Sequence, residues 1–223
     1  KGYDILTNFI DPNELDIFSS VLDQCNDERT NNGNFLKITN PYLVCPEIID
    51  LALSPNVSAV FLKYLGKNWA IGTCNLRRNY PTSNEEKTVS LFHRDDNSRN
   101  FLKMFFYLND VNMDGGPFTY VETSHIIRKE KGWTDGSRWS DEQIEHLYGK
   151  EKIKYLTANK GDVILANTTG FHKGLKCRTN IRSMLTINFT TEQEKFGRFK
   201  MKREQFDSMN KEQKYRCRFM ELV

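Results

Sequence analysis

The sequence predicts a mainly β fold with flanking helices: a β sandwich or jelly roll behind a helical layer. Three observations predict it. Helical spacing of apolar residues ends near Trp69. From there on, short runs rich in β-branched, aromatic and aliphatic residues recur, with turn signals between them. The length of 223 residues suits one such domain with a sizeable core.

Residues 1–68 read as a helical N-terminal layer. Asp11-Pro12-Asn13-Glu14 has the form of a helix start, with Asp11 as cap, Pro12 at the first helical position and Glu14 completing a capping-box pattern. Ile10 and Leu15 are spaced for a hydrophobic staple, and Leu15, Phe18, Leu22 and Cys25 follow at helical spacing. A second helical region runs from Pro46 to Leu65, broken at Ser54-Pro55, with Ser54 placed to cap the second piece and Gly66 at its end. Residues 69–190 read as the β core. Its predicted strands are Ala70–Tyr80, Thr88–His93, Phe101–Leu108, Pro117–Val121, Asp162–Ala166 and Ser183–Phe189. Asn109-Asp110, Asp114-Gly115-Gly116 and Lys160-Gly161-Asp162 supply turns. A polar insertion at 126–160 reads as a lid, with a short helix capped by Ser140 and Gln143. Residues 191–223 read as a basic helical tail, with Thr191 and Glu194 at its start.

Composition narrows the function classes. Hydrophobic residues at 38% and charged residues at 27% describe an ordinary globular chain, and a net charge of +3 is too small to argue for nucleic acid. No apolar run reaches bilayer length, and the first residues lack the pattern of a secretory signal. The five cysteines, Cys25, Cys45, Cys74, Cys177 and Cys217, are scattered and form no CxxC pair. That spacing argues against a zinc ribbon or a disulfide framework and for a reducing, cytoplasmic setting.

The informative segment is Leu91-Phe92-His93-Arg94-Asp95-Asp96. Strand residues two apart point to one side, so His93 and Asp95 can reach one metal ion, with His172 in Thr168-Thr169-Gly170-Phe171-His172-Lys173-Gly174 as a third ligand. Two imidazoles and one carboxylate on one face of an octahedron leave three positions open, the arrangement of non-haem iron(II) oxygenases. A chelating 2-oxo acid and dioxygen (O2) can fill them. Arg182, ten residues after His172 at the head of an apolar strand, offers a guanidinium fork for the far carboxylate of 2-oxoglutarate. Arg178 competes for that role but lies in a loop.

These motifs carry a resemblance. Leu51 to Val57 with Tyr64-Leu65-Gly66, the HxD of His93 and Asp95, Phe101 to Val111, Gly116 to His125, Gly161-Asp162-Val163-Ile164-Leu165, His172-Lys173-Gly174 and Arg182 occur in order over residues 1 to 190. In that order they resemble the phytanoyl-CoA dioxygenase-like family of iron(II)/2-oxoglutarate oxygenases. The resemblance implies a double-stranded β-helix, the jelly-roll or cupin-like core. It implies His93, Asp95 and His172 as Fe(II) ligands at the catalytic centre, and Arg182 as the 2-oxoglutarate anchor. It implies hydroxylation of an unactivated C–H bond of a small molecule, with release of succinate and CO2. Halogenases of this type replace the carboxylate ligand, so an intact Asp95 argues for hydroxylation; desaturation, cyclisation and epimerisation stay open.

Two departures stand out. The family's Pro-Gly before Ser-His is Glu122-Thr123 here, and Lys103 falls where relatives often carry a neutral polar residue. Pointing inward, Lys103 would pair with a carboxylate of cosubstrate or substrate. Asn75, Arg77 and Asn79 alternate on one strand face that is expected to line the pocket, Asn75 and Asn79 toward the cosubstrate and Arg77 toward the substrate. His125, Trp133 and Trp139 are further candidate substrate contacts. Lys103, Arg77 and the basic tail tilt the expected substrate toward an acidic or polar small molecule. A zinc-type metallohydrolase on the same three ligands, or an inactive binding module of the same fold, are the alternatives. Neither needs Arg182.

Overall fold

A computed structural model describes residues 1–25, 29–30, 34–82, 91–127, 129, 137–195 and 197–223. Two antiparallel sheets face each other, and helices cover the outer face of the larger one. In chain order the elements begin with β1 (Tyr3–Leu6), α1 (Asp16–Gln24), β2 (Arg29–Thr30), β3 (Phe35–Ile38), α2 (Pro41–Val44), α3 (Glu47–Leu53) and α4 (Pro55–Leu65). Then come β4 (Ala70–Asn79), β5 (Phe101–Tyr107), β6 (Phe118–Val121), α5 (Asp141–Tyr148), β7 (Ile153–Leu156), β8 (Val163–Ala166), β9 (His172–Gly174) and β10 (Arg182–Thr190). The chain closes with β11 (Lys200–Met201), α6 (Arg203–Ser208), α7 (Lys211–Arg216) and β12 (Glu221–Leu222). The larger sheet runs β1-β8-β5-β10-β4-β3-β2 and the smaller β7-β6-β9.

Alternation along the central strands decides what each face holds. On β10, Leu185, Ile187 and Phe189 are buried outward beneath the helices, while Arg182, Met184, Thr186 and Asn188 line a cavity on the inner side. On β5, Met104 and Phe106 join the outer core, and Phe105 and Tyr107 join a second cluster between the sheets. The helical layer packs against the outer face. Phe61 of α4 stacks on Phe189 of β10, ring centroids 3.7 Å apart. A third cluster, Phe92, Val121, Ile144, Tyr148, Ile153 and Phe171, joins α5 to the outside of the smaller sheet.

Several expectations change on contact with this architecture. The N-terminal layer is not wholly helical: β1 and β3 pair with β8 and β4 at the two sides of the larger sheet. They are short, and the four residues of Tyr3–Leu6 carry no clean alternation for a sequence pattern to catch. Asp11 does cap, accepting from the Asn13 N–H at 2.9 Å, but the first turn is a 3-10 helix over Pro12–Leu15 that leads into α1. The break at Ser54-Pro55 falls between α3 and α4, yet the Ser54 hydroxyl makes no cap. Of the predicted strand Thr88–His93, residues 88–90 lie outside the described region. Phe92 and His93 form single bridges with Trp139 and His172 in place of a strand.

The insertion at 126–160 is only partly peripheral, because Ile153–Leu156 is β7 and pairs with β6. Its helix does start at Ser140, with both hydrogen bonds of the capping box formed. The tail differs most. Thr191 and Glu194 start no helix; α6 and α7 come later, and β11 and β12 pair in parallel. Glu194 turns inward instead. Its carboxylate accepts from the Thr73 N–H, from Thr73 Oγ1 at 3.0 Å, from Asn97 Nδ2 at 2.8 Å and from Asn188 Nδ2. Glu194→Ala leaves those buried donors unpaired, each worth ~1–3 kcal/mol. A loss of about 3–5 kcal/mol is expected in the free energy of urea unfolding. A loss below about 1 kcal/mol would show that the donors find other partners.

Among the described residues no single helix is long and apolar enough to cross a membrane.

Candidate metal centre

His93, Asp95 and His172 converge. One ligand atom from each lies within 4.8 Å of the others. The backbone arranges this by laying residues 93–95 along the segment that leads into β9. The His93 and His172 N–H groups donate to each other's carbonyl at 3.0 Å, and the Asp95 N–H donates to Thr168 O at 2.8 Å. Each imidazole is fixed through its Nδ1, 3.3 Å from Leu91 O for His93 and 3.0 Å from Gly170 O for His172. Nδ1 then carries the proton and Nε2 presents its lone pair. The two Nε2 atoms sit 4.0 Å from Asp95 Oδ1 and 3.2 Å from Asp95 Oδ2 respectively.

Electrostatics favours a cation here. Burial, and then the neighbouring His172, push the His93 imidazole down to about 3, against the opposing pull of Asp95. The ring is therefore neutral and ready to ligate at pH 7. Burial alone would raise the Asp95 carboxyl, but Lys103, and after it His172, outweigh burial and hold it well below the usual carboxylate range. Lys103 Nζ donates to Asp95 Oδ2 at 2.7 Å. Arg94, between the two ligands, turns away from them, donating to Ser124 O at 2.7 Å and stacking 4.1 Å from the Phe171 ring centre.

The centre opens into a cavity of about 530 Å³ between the sheets. That volume is ample for a cosubstrate and a small molecule together. Lys103 and Arg182 line it from the larger sheet, as do Asn75, Arg77 and Asn79 along β4. Cross-strand register sets Arg182 beside Asn79, Met184 beside Arg77 and Thr186 beside Asn75. Arg182 is buried, with Nη1 donating to Leu175 O at 3.0 Å and Nε without a hydrogen-bond partner among the described residues. Gly174 makes room for it: a Cβ there would lie 2.9 Å from Arg182 Nη2.

Solved structures that the chain resembles include the following. HygX from Streptomyces hygroscopicus, crystallised with nickel, 2-oxoglutarate and hygromycin B, superimposes with a TM-score of 0.65 at 16% identity, over 90% of this chain and 86% of that one. SnoK, the non-haem α-ketoglutarate-dependent carbocyclase of nogalamycin biosynthesis, gives 0.63 at 18% identity, over 85% of this chain and 80% of that one. SnoN, the corresponding epimerase, gives 0.63 at 16%, over 85% and 78%. The chain has their fold, a jelly-roll core with flanking helices. No family model matches the sequence, and no curated protein matches it.

The remaining sequence candidates lie elsewhere. His125 is not among the residues that line the cavity. It borders a separate space of about 300 Å³ with Gly2, Tyr3 and Tyr64. Trp139 bridges Phe92, packs edge-on against Phe171 and is not among the residues that line the cavity. Trp133 lies outside the described residues. Conversely, sequence reasoning missed Lys37 and Arg138, both of which line the cavity. Lys37 lay in a strand that was not recognised, and no local signal marks Arg138.

The Glu122-Thr123 departure falls in a turn. Thr123 takes φ +65°, the left-handed conformation that glycine adopts without strain. Beside it the Ser124 hydroxyl accepts from the Phe171 N–H at 2.8 Å, one residue before His172. Thr123→Gly is expected to raise the free energy of unfolding by about 0.5–1 kcal/mol, since relief of ~1–2 kcal/mol of strain outweighs the added chain entropy. Destabilisation in a urea melt would contradict this.

Proposed function

We propose that the chain is a non-haem iron(II)- and 2-oxoglutarate-dependent oxygenase of the phytanoyl-CoA dioxygenase-like type, acting on a small molecule. The observation that carries the proposal is the convergence of His93, Asp95 and His172 at the wall of a cavity that also holds the buried guanidinium of Arg182. The donor set fits iron(II): two imidazoles and one carboxylate, all from one side, with the cavity on the other. The orphaned Nε of Arg182 and Oδ1 of Asn75 fit a polar ligand in that cavity. The likeness to HygX, crystallised with nickel and 2-oxoglutarate bound, and to SnoK, an α-ketoglutarate-dependent carbocyclase, supports the same reading.

In this proposal His93, Asp95 and His172 hold the metal, and Arg182 takes the distal carboxylate of 2-oxoglutarate through its fork. Lys103 orients the Asp95 carboxylate and adds positive charge where the cosubstrate's carboxylates enter. Asn75 and Asn79 line the path beside it. Phe105 and Phe118, ring centroids 4.3 Å apart, wall the cavity with apolar surface and keep water from the reacting end. Iron(II) with 2-oxoglutarate and O2 supplies oxidation of an unactivated C–H bond, with succinate and CO2 as coproducts, and hydroxylation is the proposed outcome. A zinc-type hydrolase would have no use for Arg182 in the cavity. Incubation with iron(II), 2-oxoglutarate and oxygen is expected to release succinate; zinc-dependent hydrolysis without succinate would favour the alternative.

A further inference from the structure

Asn188 is 1% exposed and lines the cavity. Its Nδ2 donates to the Glu194 carboxylate, and its Oδ1 has no hydrogen-bond partner among the described residues. Chemistry fixes which end is which: a carboxylate only accepts, so the amide nitrogen faces Glu194 and the oxygen faces away. Glu194 is not among the residues that line the cavity, which leaves the oxygen edge for the cavity side. The backbone builds this arrangement. β10 and β4 pair Ile187 with Cys74 and Phe189 with Ile71, so Gly72 and Thr73 together stand opposite Asn188. In that bulge the Thr73 N–H donates to Glu194, and Gly72 makes room for the carboxylate: a Cβ there would lie 2.5 Å from Glu194 Oε2. Among the described residues the donors to Glu194, from Thr73, Asn97 and Asn188, are all neutral. A carboxylate behind the Asn188 amide polarises it and strengthens Oδ1 as an acceptor.

A buried acceptor left open is costly, so a donor belongs there. Two groups near it do not serve. Lys103 stands directly opposite Asn188 on β5, but its ammonium donates to Asp95 Oδ2 at 2.7 Å. The proposed 2-oxoglutarate carries two carboxylates and a keto oxygen, all acceptors, and offers Oδ1 nothing. Asn75 repeats the pattern one diagonal step away. It lines the cavity directly opposite Thr186, and its Oδ1 is buried with no hydrogen-bond partner among the described residues. Thr186 is two residues from Asn188 on the same face of β10 and adds a hydroxyl to the cavity wall. Diagonal neighbours on paired strands are about 7–8 Å apart, a span that one small molecule bearing two donors can bridge.

We infer that Asn188 and Asn75 form a subsite that accepts hydrogen bonds from two hydroxyl or amino groups of the substrate, with Glu194 as the positioning residue that turns the Asn188 oxygen to the cavity. This deepens the oxygenase proposal and rests on it for the word substrate. It makes the substrate a molecule with at least two hydrogen-bond donors. A site built to bond such groups rejects an analogue that lacks them, because its buried acceptors are then left unpaired.

Chemical-shift titration tests this on the chain loaded with zinc(II), a diamagnetic ion, and saturating 2-oxoglutarate. The probes are cis-cyclohexane-1,3-diol, cis-3-aminocyclohexanol and cyclohexanone, a ring of the same size that only accepts. Saturable binding is expected for at least one of the first two, at least about tenfold tighter than for cyclohexanone. Tighter binding of the diol marks hydroxyls at the pair and tighter binding of the amino alcohol marks an amine; either supports the subsite. Kd for that probe is expected to rise about tenfold in Asn188→Leu and about fivefold in Asn75→Leu, and its advantage over cyclohexanone to shrink by the same factor. The 2-oxoglutarate affinity of Asn188→Leu should stay within about twofold of the parent. Asn75 is only half-buried, so its variant carries the test if Asn188→Leu fails to fold. No saturable binding of either donor probe, or binding that both variants leave unchanged, overturns the subsite and leaves the oxygenase proposal standing. Cyclohexanone binding as tightly as the donor probes overturns it too, because the two acceptors then take no part. If 2-oxoglutarate fails to bind the parent while the diol binds and is lost in Asn188→Leu, the subsite stands and the oxygenase proposal falls.

Discussion

Asp95→Ala is expected to abolish stable metal binding and, with it, succinate formation. The carboxylate is the sole anionic member of the triad, and both Nε2 atoms lie within 4.0 Å of its oxygens. Its removal leaves two imidazoles without an anionic ligand, and it also strips Lys103 of its 2.7 Å partner, so that an ammonium stands beside the place a cation must occupy. Loss of an outer partner of a ligand already costs about 10–100-fold in metal affinity; loss of an anionic ligand with exposure of a like charge should exceed about a hundredfold. Equilibrium dialysis against nickel(II) measures it. The fold should persist, because the strand contacts at residues 93–95 are made by backbone groups. Metal affinity within about tenfold of the parent would remove Asp95 from the ligand set.

Arg182→Gln is expected to weaken 2-oxoglutarate binding by about a hundredfold, roughly 2.7 kcal/mol, while leaving metal affinity near that of the parent. A bidentate guanidinium–carboxylate pair is lost, and the glutamine amide offers a single neutral contact in its place. Arg182 sits on β10 and the metal ligands on β9 and the segment that pairs with it, so the two effects are separable. Metal loss in this variant would show that Arg182 supports the fold through its bond to Leu175 O and not the cosubstrate.

The parts of this molecule that were legible in the sequence are those written in residue type at fixed spacing. Runs rich in aromatic, aliphatic and β-branched residues marked strands at Phe101–Leu108 and Ser183–Phe189, where the structure has β5 and β10. The Ser140–Gln143 box marked α5, and Ser54-Pro55 marked the break between α3 and α4. His93 and Asp95 were visible as a pair, but the reason they converge was not: one bridge to His172 and one bond to Thr168 O do the work assigned to a strand.

What escaped detection depends on partners distant in sequence. β3 is four residues long and acquires meaning only from its pairing with β4; without that pairing Lys37 could not be set opposite Arg77. Glu194 looked like a helix cap, since Thr191-Glu192-Gln193-Glu194 has the capping spacing. Its donors Thr73, Asn97 and Asn188 come from three separate places in the chain and claim it instead. Thr123 at a glycine-type φ is likewise invisible until the turn is seen.

The most direct measurement is the binding of 2-oxoglutarate to the unmodified chain by calorimetry, without oxygen, in the presence and absence of nickel(II). If His93, Asp95, His172 and Arg182 act as one site, one 2-oxoglutarate binds per chain when one metal ion is bound, and affinity falls by at least about a hundredfold without metal. Binding that ignores the metal, or none with metal saturated, would contradict that arrangement.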